Sequence, residues 1–215
     1  MSKGRKDRFN NVGVRQVMKS LLQIGPCTHT ILVYPNLRTI REVYSSYFHT
    51  NSMKGTEMIV ILPYYETIET VKNNLLVDAQ STQNYDMMIG NGSLIIRDSN
   101  TLFERDIKSN NSFLAPDQKS NPQIVDFLND VISQAKQENK DEISVWIDTG
   151  TFHNFEGGLE SLLIYERTIP TFFESTPLKQ FCLYHQKDFE MRLNRSQETE
   201  TLDYHQKRLM LLSNN

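Results

Sequence analysis

Apolar positions along the chain fall into two alternating patterns, and that alternation predicts βα units around a mainly parallel sheet. His29-Thr30-Ile31-Leu32-Val33-Tyr34 is a β-rich run stopped by Pro35-Asn36. Leu37, Ile40, Val43, Tyr44, Tyr47 and Phe48 then recur at helical spacing, closing near Gly55. Met58-Ile59-Val60-Ile61-Leu62 is apolar at every position, as an interior strand covered on both faces should be. Pro63 ends it, and Ile68, Val71 and Leu75 mark the helix that follows. A third strand, Leu94-Ile95-Ile96, comes after the turn Gly90-Asn91-Gly92.

From Asp98 to Asn121 the chain is polar and weakly periodic, which reads as a surface excursion with one helical turn around Leu102 and Phe103. Asn121-Pro122 reads as an N-cap with proline at the first helical position. Ile124, Phe127, Leu128, Val131, Ile132 and Ala135 give that helix its core face. Ile143-Ser144-Val145-Trp146-Ile147 is a fourth strand, turned at Asp148-Thr149-Gly150. Leu159, Leu162, Leu163 and Tyr165 make a helix halted by Pro170, and Phe181-Cys182-Leu183-Tyr184 is the fifth strand. Leu202, His205, Leu209 and Leu212 fall on one helical stripe at the carboxyl end. The expected architecture is an α/β three-layer sandwich with a core sheet of about five strands. Residues 1–23 read as a basic extension running into a helix, and 24–215 as a single domain.

The chain has 215 residues, 38% of them hydrophobic. A chain of that size buries roughly 70% of its unfolded surface, so its core needs neither disulfide nor metal. The net charge of −3 gives no reason to expect nucleic acid as the main partner. Cys27 and Cys182 cannot form a disulfide framework; with no secretory signal pattern, the expected compartment is a reducing cytoplasm. The apolar runs stop far short of the ~18 residues of a membrane span. Lys3, Arg5, Lys6, Arg8, Arg15 and Lys19, set against Asp7, read as a solvated tail or as a contact for phosphate or lipid headgroups.

Ligands of open α/β sheets sit beyond the carboxyl ends of the strands. Those ends here carry Tyr34, then Pro63-Tyr64-Tyr65, then Asp148 through His153, then Tyr184-His185. Such a rim offers aromatic walls with a few polar handles for a small organic ligand, unless the tyrosines only cap strands for packing. Nucleotide motifs fail. Pro35-Asn36-Leu37-Arg38-Thr39 has no glycine and no Lys-Ser/Thr pair, and neither G-x-G-x-x-G nor G-x-S-x-G occurs.

Cys182, inside a strand, reads as a small buried hydrophobe. Cys27-x-His29 and Cys182-x-x-His185 carry metal-ligand types, but neither spacing is a zinc knuckle. Cys182 and His185 would also point to opposite faces of a regular strand. No metal and no cofactor are therefore expected. His205 reads as a core histidine. Glu166, within Leu162-Leu163-Ile164-Tyr165-Glu166-Arg167, is either an interior carboxylate needing a partner or an exposed one beside Arg167.

Several of these blocks together resemble the MEDS (methanogen/methylotroph sensory) domain family. They are His29 through Tyr34 with its amphipathic helix, Gly92-Ser93-Leu94-Ile95-Ile96, Leu163-Ile164-Tyr165-Glu166, and Cys182-Leu183-Tyr184-His185-Gln186-Lys187-Asp188-Phe189, in that order. His205 falls where the family tends to place a histidine, and the likeness covers roughly residues 24–210. The resemblance implies a RecA-like sandwich without a working P-loop, used as a sensor of small hydrocarbon-like or methylated compounds. Ile147-Asp148-Thr149-Gly150 departs from the family's Glu-Met-containing turn, so no ligand role is carried to Asp148.

The combined expectation is a stand-alone, cytoplasmic, non-catalytic sensory domain acting through a signalling partner or self-association. Its ligand residues would be His29, Tyr34, Tyr64, His153, Glu166 and Tyr184. The alternatives are a degenerate RecA-like ATPase or small transferase using the strand-end pocket, and an interaction subunit with no ligand.

Overall fold

The computed structural model describes residues 9–76, 79–108, 122–172, 174 and 176–212. Its elements run β1 (Asn10–Val12), α1 (Val14–Leu21), β2 (Thr28–Tyr34), α2 (Leu37–Ser52), β3 (Glu57–Leu62), α3 (Ile68–Leu75), α4 (Ala79–Gly90) and β4 (Leu94–Ile96). They continue through α5 (Ser99–Lys108), α6 (Gln123–Gln137), β5 (Glu142–Asp148), a 3-10 turn (Thr149–Asn154), α7 (Gly158–Phe172), β6 (Leu178–His185), α8 (Gln186–Arg192), α9 (Arg195–Asp203) and β7 (Lys207–Leu211).

All pairings in the sheet are parallel, in the order β1-β7-β2-β6-β5-β3-β4. Parallel neighbours need long crossovers, and the helices that supply them cover both faces. On one face Val17, Val43, Val71 and Met88 of α1 to α4 pack on Leu32, Ile59, Trp146 and Phe181. On the other, Phe103, Leu128, Leu162, Phe189 and Leu202 of α5 to α9 pack on Ile31, Val60, Val145 and Cys182. The chain is an α/β three-layer sandwich.

The five expected strands are all present, with Met58–Leu62 interior between β5 and β4. Two more strands, β1 and β7, extend the sheet past β2, making seven among the described residues. The carboxyl-terminal helical stripe is a correction. The helix stops at Asp203, His205 sits in a turn, and Leu209 lies in β7 paired with β2 through Leu32. Leu209 faces one core and Met210 the other, the alternation of a strand. The spacing 202–205–209–212 mimicked a helix because a turn falls inside it. In the expected amino-terminal extension, β1 pairs with β7, and α1 buries Val17 and Leu21 while Arg15 and Lys19 stay exposed. Lys3, Arg5, Lys6, Asp7 and Arg8 lie outside the described residues.

The excursion after Asp98 holds a full helix, α5, which buries Leu102, Phe103 and Ile107. Residues 109–121, including Asn121, lie outside the described residues. Pro122 occupies the cap position of α6, and Asp106 of α5 accepts from the amides of Gln123 (2.8 Å) and Ile124 (3.2 Å). The first amides of a helix lack intrahelical partners, and this carboxylate supplies them across 17 residues of sequence. Pro170 does not halt α7, which runs on to Phe172. No helix among the described residues is long and apolar enough to cross a membrane.

Candidate functional site

The chain leaves β3 toward β4 on one side and leaves β5 toward β6 on the other, so the two loops part at the sheet's carboxyl edge. Such a reversal opens a crevice. Here it is a cleft of about 540 Å³. Leu37 follows β2, Tyr64 and Tyr65 follow β3, His153 and Asn154 follow β5, and His185, Asp188 and Arg192 come from the junction of β6 with α8.

Gly150 allows the two tyrosines to close against the β5 loop. A Cβ at that position would lie 2.4 Å from a Tyr64 ring carbon and 2.6 Å from one of Tyr65. The Tyr65 hydroxyl donates to Asp188, which also accepts from Arg192 Nε at 3.0 Å. Burial pushes Asp188 up, but these hydrogen bonds outweigh it and hold its carboxyl below the usual range. Burial lowers the pKa of His153.

Asp148 does not line the cleft but is buried behind it, hydrogen-bonded to the lining residue Tyr65. Its Oδ1 accepts from Gly150 N at 3.0 Å, capping the 3-10 turn, and Oδ2 accepts from Tyr34 OH at 3.4 Å and Tyr65 N at 3.5 Å. Burial outweighs those donors and pushes its pKa up to about 7. Tyr34 is buried beneath the cleft, its ring edge-on to His185 at 5.3 Å. Burial, then the Asp148 charge, drives its phenol far above its ordinary value.

A second constellation lies on the opposite face of the sheet. His29 pairs in register with Gln180, and residues 29, 180, 182 and 184 share one face of β2 and β6. Glu166 descends on them from α7, fully buried. Its Oε2 lies 3.0 Å from His29 Nε2, 3.3 Å from His205 Nε2 and 3.5 Å from Cys182 Sγ, while Oε1 accepts from Tyr184 OH at 2.6 Å. His29 Nε2 is 3.1 Å from the same sulfur, and Gln180 Nε2 reaches it at 3.4 Å. Burial alone would raise Glu166, but His205 and His29 hold its carboxyl well below the carboxylate range. Burial, then the neighbouring His205, lowers His29; burial, then Glu166, pushes the Cys182 thiol up.

The six residues expected to bind one ligand therefore divide. Tyr64 and His153 line the cleft and Tyr34 lies under it. His29, Glu166 and Tyr184 meet in the buried cluster, so Tyr184 is not on the rim. The interior alternative holds for Glu166.

The metal pairings weighed from spacing do not form. Cys27 is exposed and donates to Thr176 O, and the partly buried His185 lines the cleft. His29, Glu166, Cys182 and His205 instead bring four ligand atoms within 4.8 Å of one another, a set that could hold a metal. Asp188 and Arg192 at the cleft were missed, although their i,i+4 spacing after a strand end is a legible signal. No protein-family model matches the chain, and a search of curated proteins finds no match.

Proposed function

We propose that the protein is a ligand-binding sensory module whose small organic ligand occupies the cleft at the carboxyl ends of the strands. The observation that carries this reading is the cleft itself. Its volume of about 540 Å³ falls in the ~300–1,000 Å³ range of small-molecule sites, and it lies at the reversal of strand order. Tyr64, Tyr65 and Met191 supply apolar wall for a hydrocarbon-like or methylated body, while His153, Asp188 and Arg192 supply polar handles. Output would come from association with a signalling partner or a second copy in the cytoplasm. The reading agrees with the resemblance to sensors of small hydrocarbon-like or methylated compounds, although Glu166, Cys182, Tyr184 and His205 of the MEDS-like blocks meet in the buried cluster and not at the cleft.

The ATPase alternative is disfavoured by local chemistry. A P-loop turns free amides at a helix N-terminus onto phosphate. Here Asn36 Oδ1 accepts from the Thr39 amide at 3.0 Å and its hydroxyl at 3.1 Å, so the helix start is capped by its own side chain. The second reading, a small transferase, rests on Asp148, a buried carboxyl hydrogen-bonded to the cleft residue Tyr65 whose pKa burial pushes up to about 7.

A thermal-shift and native-mass screen of small metabolites against the purified chain tests both. The sensory reading expects a ligand that stabilises the wild type and loses that effect in Tyr64→Ala, without turnover. Turnover abolished by Asp148→Asn would replace it with the transferase.

A further inference from the structure

We propose that His29, Glu166, Cys182 and His205 form a closed, four-ligand site for a divalent transition metal of the zinc class. The site shares no residue with the strand-end cleft, so its failure would leave the ligand-binding reading untouched.

The first argument is hydrogen-bond polarity. His29 Nδ1 lies 3.0 Å from Tyr204 O, and His205 Nδ1 lies 2.7 Å from Thr201 O. A carbonyl oxygen only accepts, so both rings carry their proton on Nδ1 and, when neutral, aim a bare Nε2 lone pair inward. Both lone pairs face Glu166 Oε2, itself an acceptor. One proton relieves one of these contacts. A second would place two cationic rings 3.9 Å apart, centre to centre. Among the described residues the buried His205 Nε2 finds no hydrogen-bond partner. A metal set against both Nε2 atoms, in line with their ring planes, accepts both lone pairs at once.

Geometry and charge agree. The ligand atoms are separated by 3.0 to 3.5 Å where paired. Tetrahedral coordination with bonds of ~2.0–2.3 Å puts ligand atoms roughly 3.3–3.8 Å apart. Those four pairs lie within a few tenths of an ångström of that spacing, and the other pairs within 4.8 Å close onto it as the ion draws His205 in. A 2+ ion meets one carboxylate and one thiolate, so the buried site becomes neutral as Cys182 gives up its proton to solvent. Two imidazoles, one thiolate and one carboxylate suit Zn²⁺ better than oxygen-preferring Mg²⁺ or Ca²⁺.

The outer groups are those a metal site needs. Carbonyls orient both imidazoles, Tyr184 holds Oε1 and leaves Oε2 free, and Gln180 donates to the sulfur. A cleft of about 70 Å³ reaches His29 between Cys27, Glu174 and Gln206, wide enough for an ion and too small for an organic ligand. The metal would tie β2, α7, β6 and the turn before β7 into one knot.

The test is a titration of the chelator-treated full chain with Co²⁺, followed by Zn²⁺. One equivalent of Co²⁺ should bind with a thiolate-to-cobalt charge-transfer band and tetrahedral d–d bands, all displaced by one equivalent of Zn²⁺. Cys27→Ser should keep the charge-transfer band and Cys182→Ser should lose it. His205→Gln should bind at least as poorly as a lost outer-shell partner would cause, about 10–100-fold weaker. If the variants misfold, the wild type still decides: zinc should raise its melting temperature and cobalt should show the band. No stoichiometric cobalt uptake by the wild type overturns the site, as does a band abolished by Cys27→Ser and kept by Cys182→Ser.

Discussion

Tyr34 at the end of β2 and Asp148 at the end of β5 meet through a 3.4 Å hydrogen bond that reaches across the intervening strand β6. The contact joins two strand ends 114 residues apart, behind the cleft residues Tyr65 and His185. It also leaves a carboxyl in a place where its charge is poorly solvated.

Asp148 titrates at about 7 in the fold against an ordinary 3.8, so the native state holds a proton that the unfolded chain releases. Its penalty is absent below about pH 4, grows as pH rises toward 7, and is complete above that, reaching roughly 4 kcal/mol. Asp148→Asn should therefore stabilise the protein at pH 8 and do little at pH 4. Urea unfolding of both proteins at the two pH values checks this, and an equal effect at both would remove the assignment.

Lys179 and Glu57 are buried on the face occupied by α2, with Lys179 Nζ 3.4 Å from Glu57 Oε1 and 2.6 Å from Glu142. Tyr47 OH completes the group on Glu57 at 2.7 Å. Lys179→Met should cost about 3–5 kcal/mol because it strands a buried carboxylate. Adding Glu57→Gln should recover much of that loss. Additive losses in denaturant melts would mean the pair is not coupled.

Asp106→Ala should destabilise the protein by about 1–2 kcal/mol, since two amides at the start of α6 lose their acceptor. Hydrogen exchange should quicken at Gln123 and Ile124 ahead of the rest of the helix. Unchanged protection there would show that another group serves as the cap.

Gly150→Ala should push the Tyr64 and Tyr65 rings off the β5 loop, costing about 1–3 kcal/mol by overpacking. The near-ultraviolet signal of the tyrosines should change with it. A variant as stable as the wild type with an unaltered tyrosine signal would mean the rings are free to move aside.

How far the sequence could be read differs from one part of the molecule to another. Met58–Leu62, apolar throughout, could only be an interior strand, and it is one. The edge of the sheet was hidden: Asn10–Val12 is too short to show a period, and Lys207–Leu211 begins with two charged residues. Strands of that kind form because β2 offers an unpaired edge, which is a property of the assembled sheet. Tyr64 and His153 were legible as cleft residues from their places just past strand ends.

By itself the sequence determined the alternation of strands and helices, the parallel sheet and the chemistry of its carboxyl rim, because hydrophobic period and turn residues are local properties. Only the tertiary structure decided which polar residues share a site. His29, Glu166, Cys182 and His205 lie far apart in the chain, and no spacing predicts their meeting. Strand register aligns His29 with Gln180, and the packing of α7 on that face sets Glu166 between the two histidines. Side-chain chemistry can be read residue by residue, but its convergence depends on how the crossovers stack on the sheet.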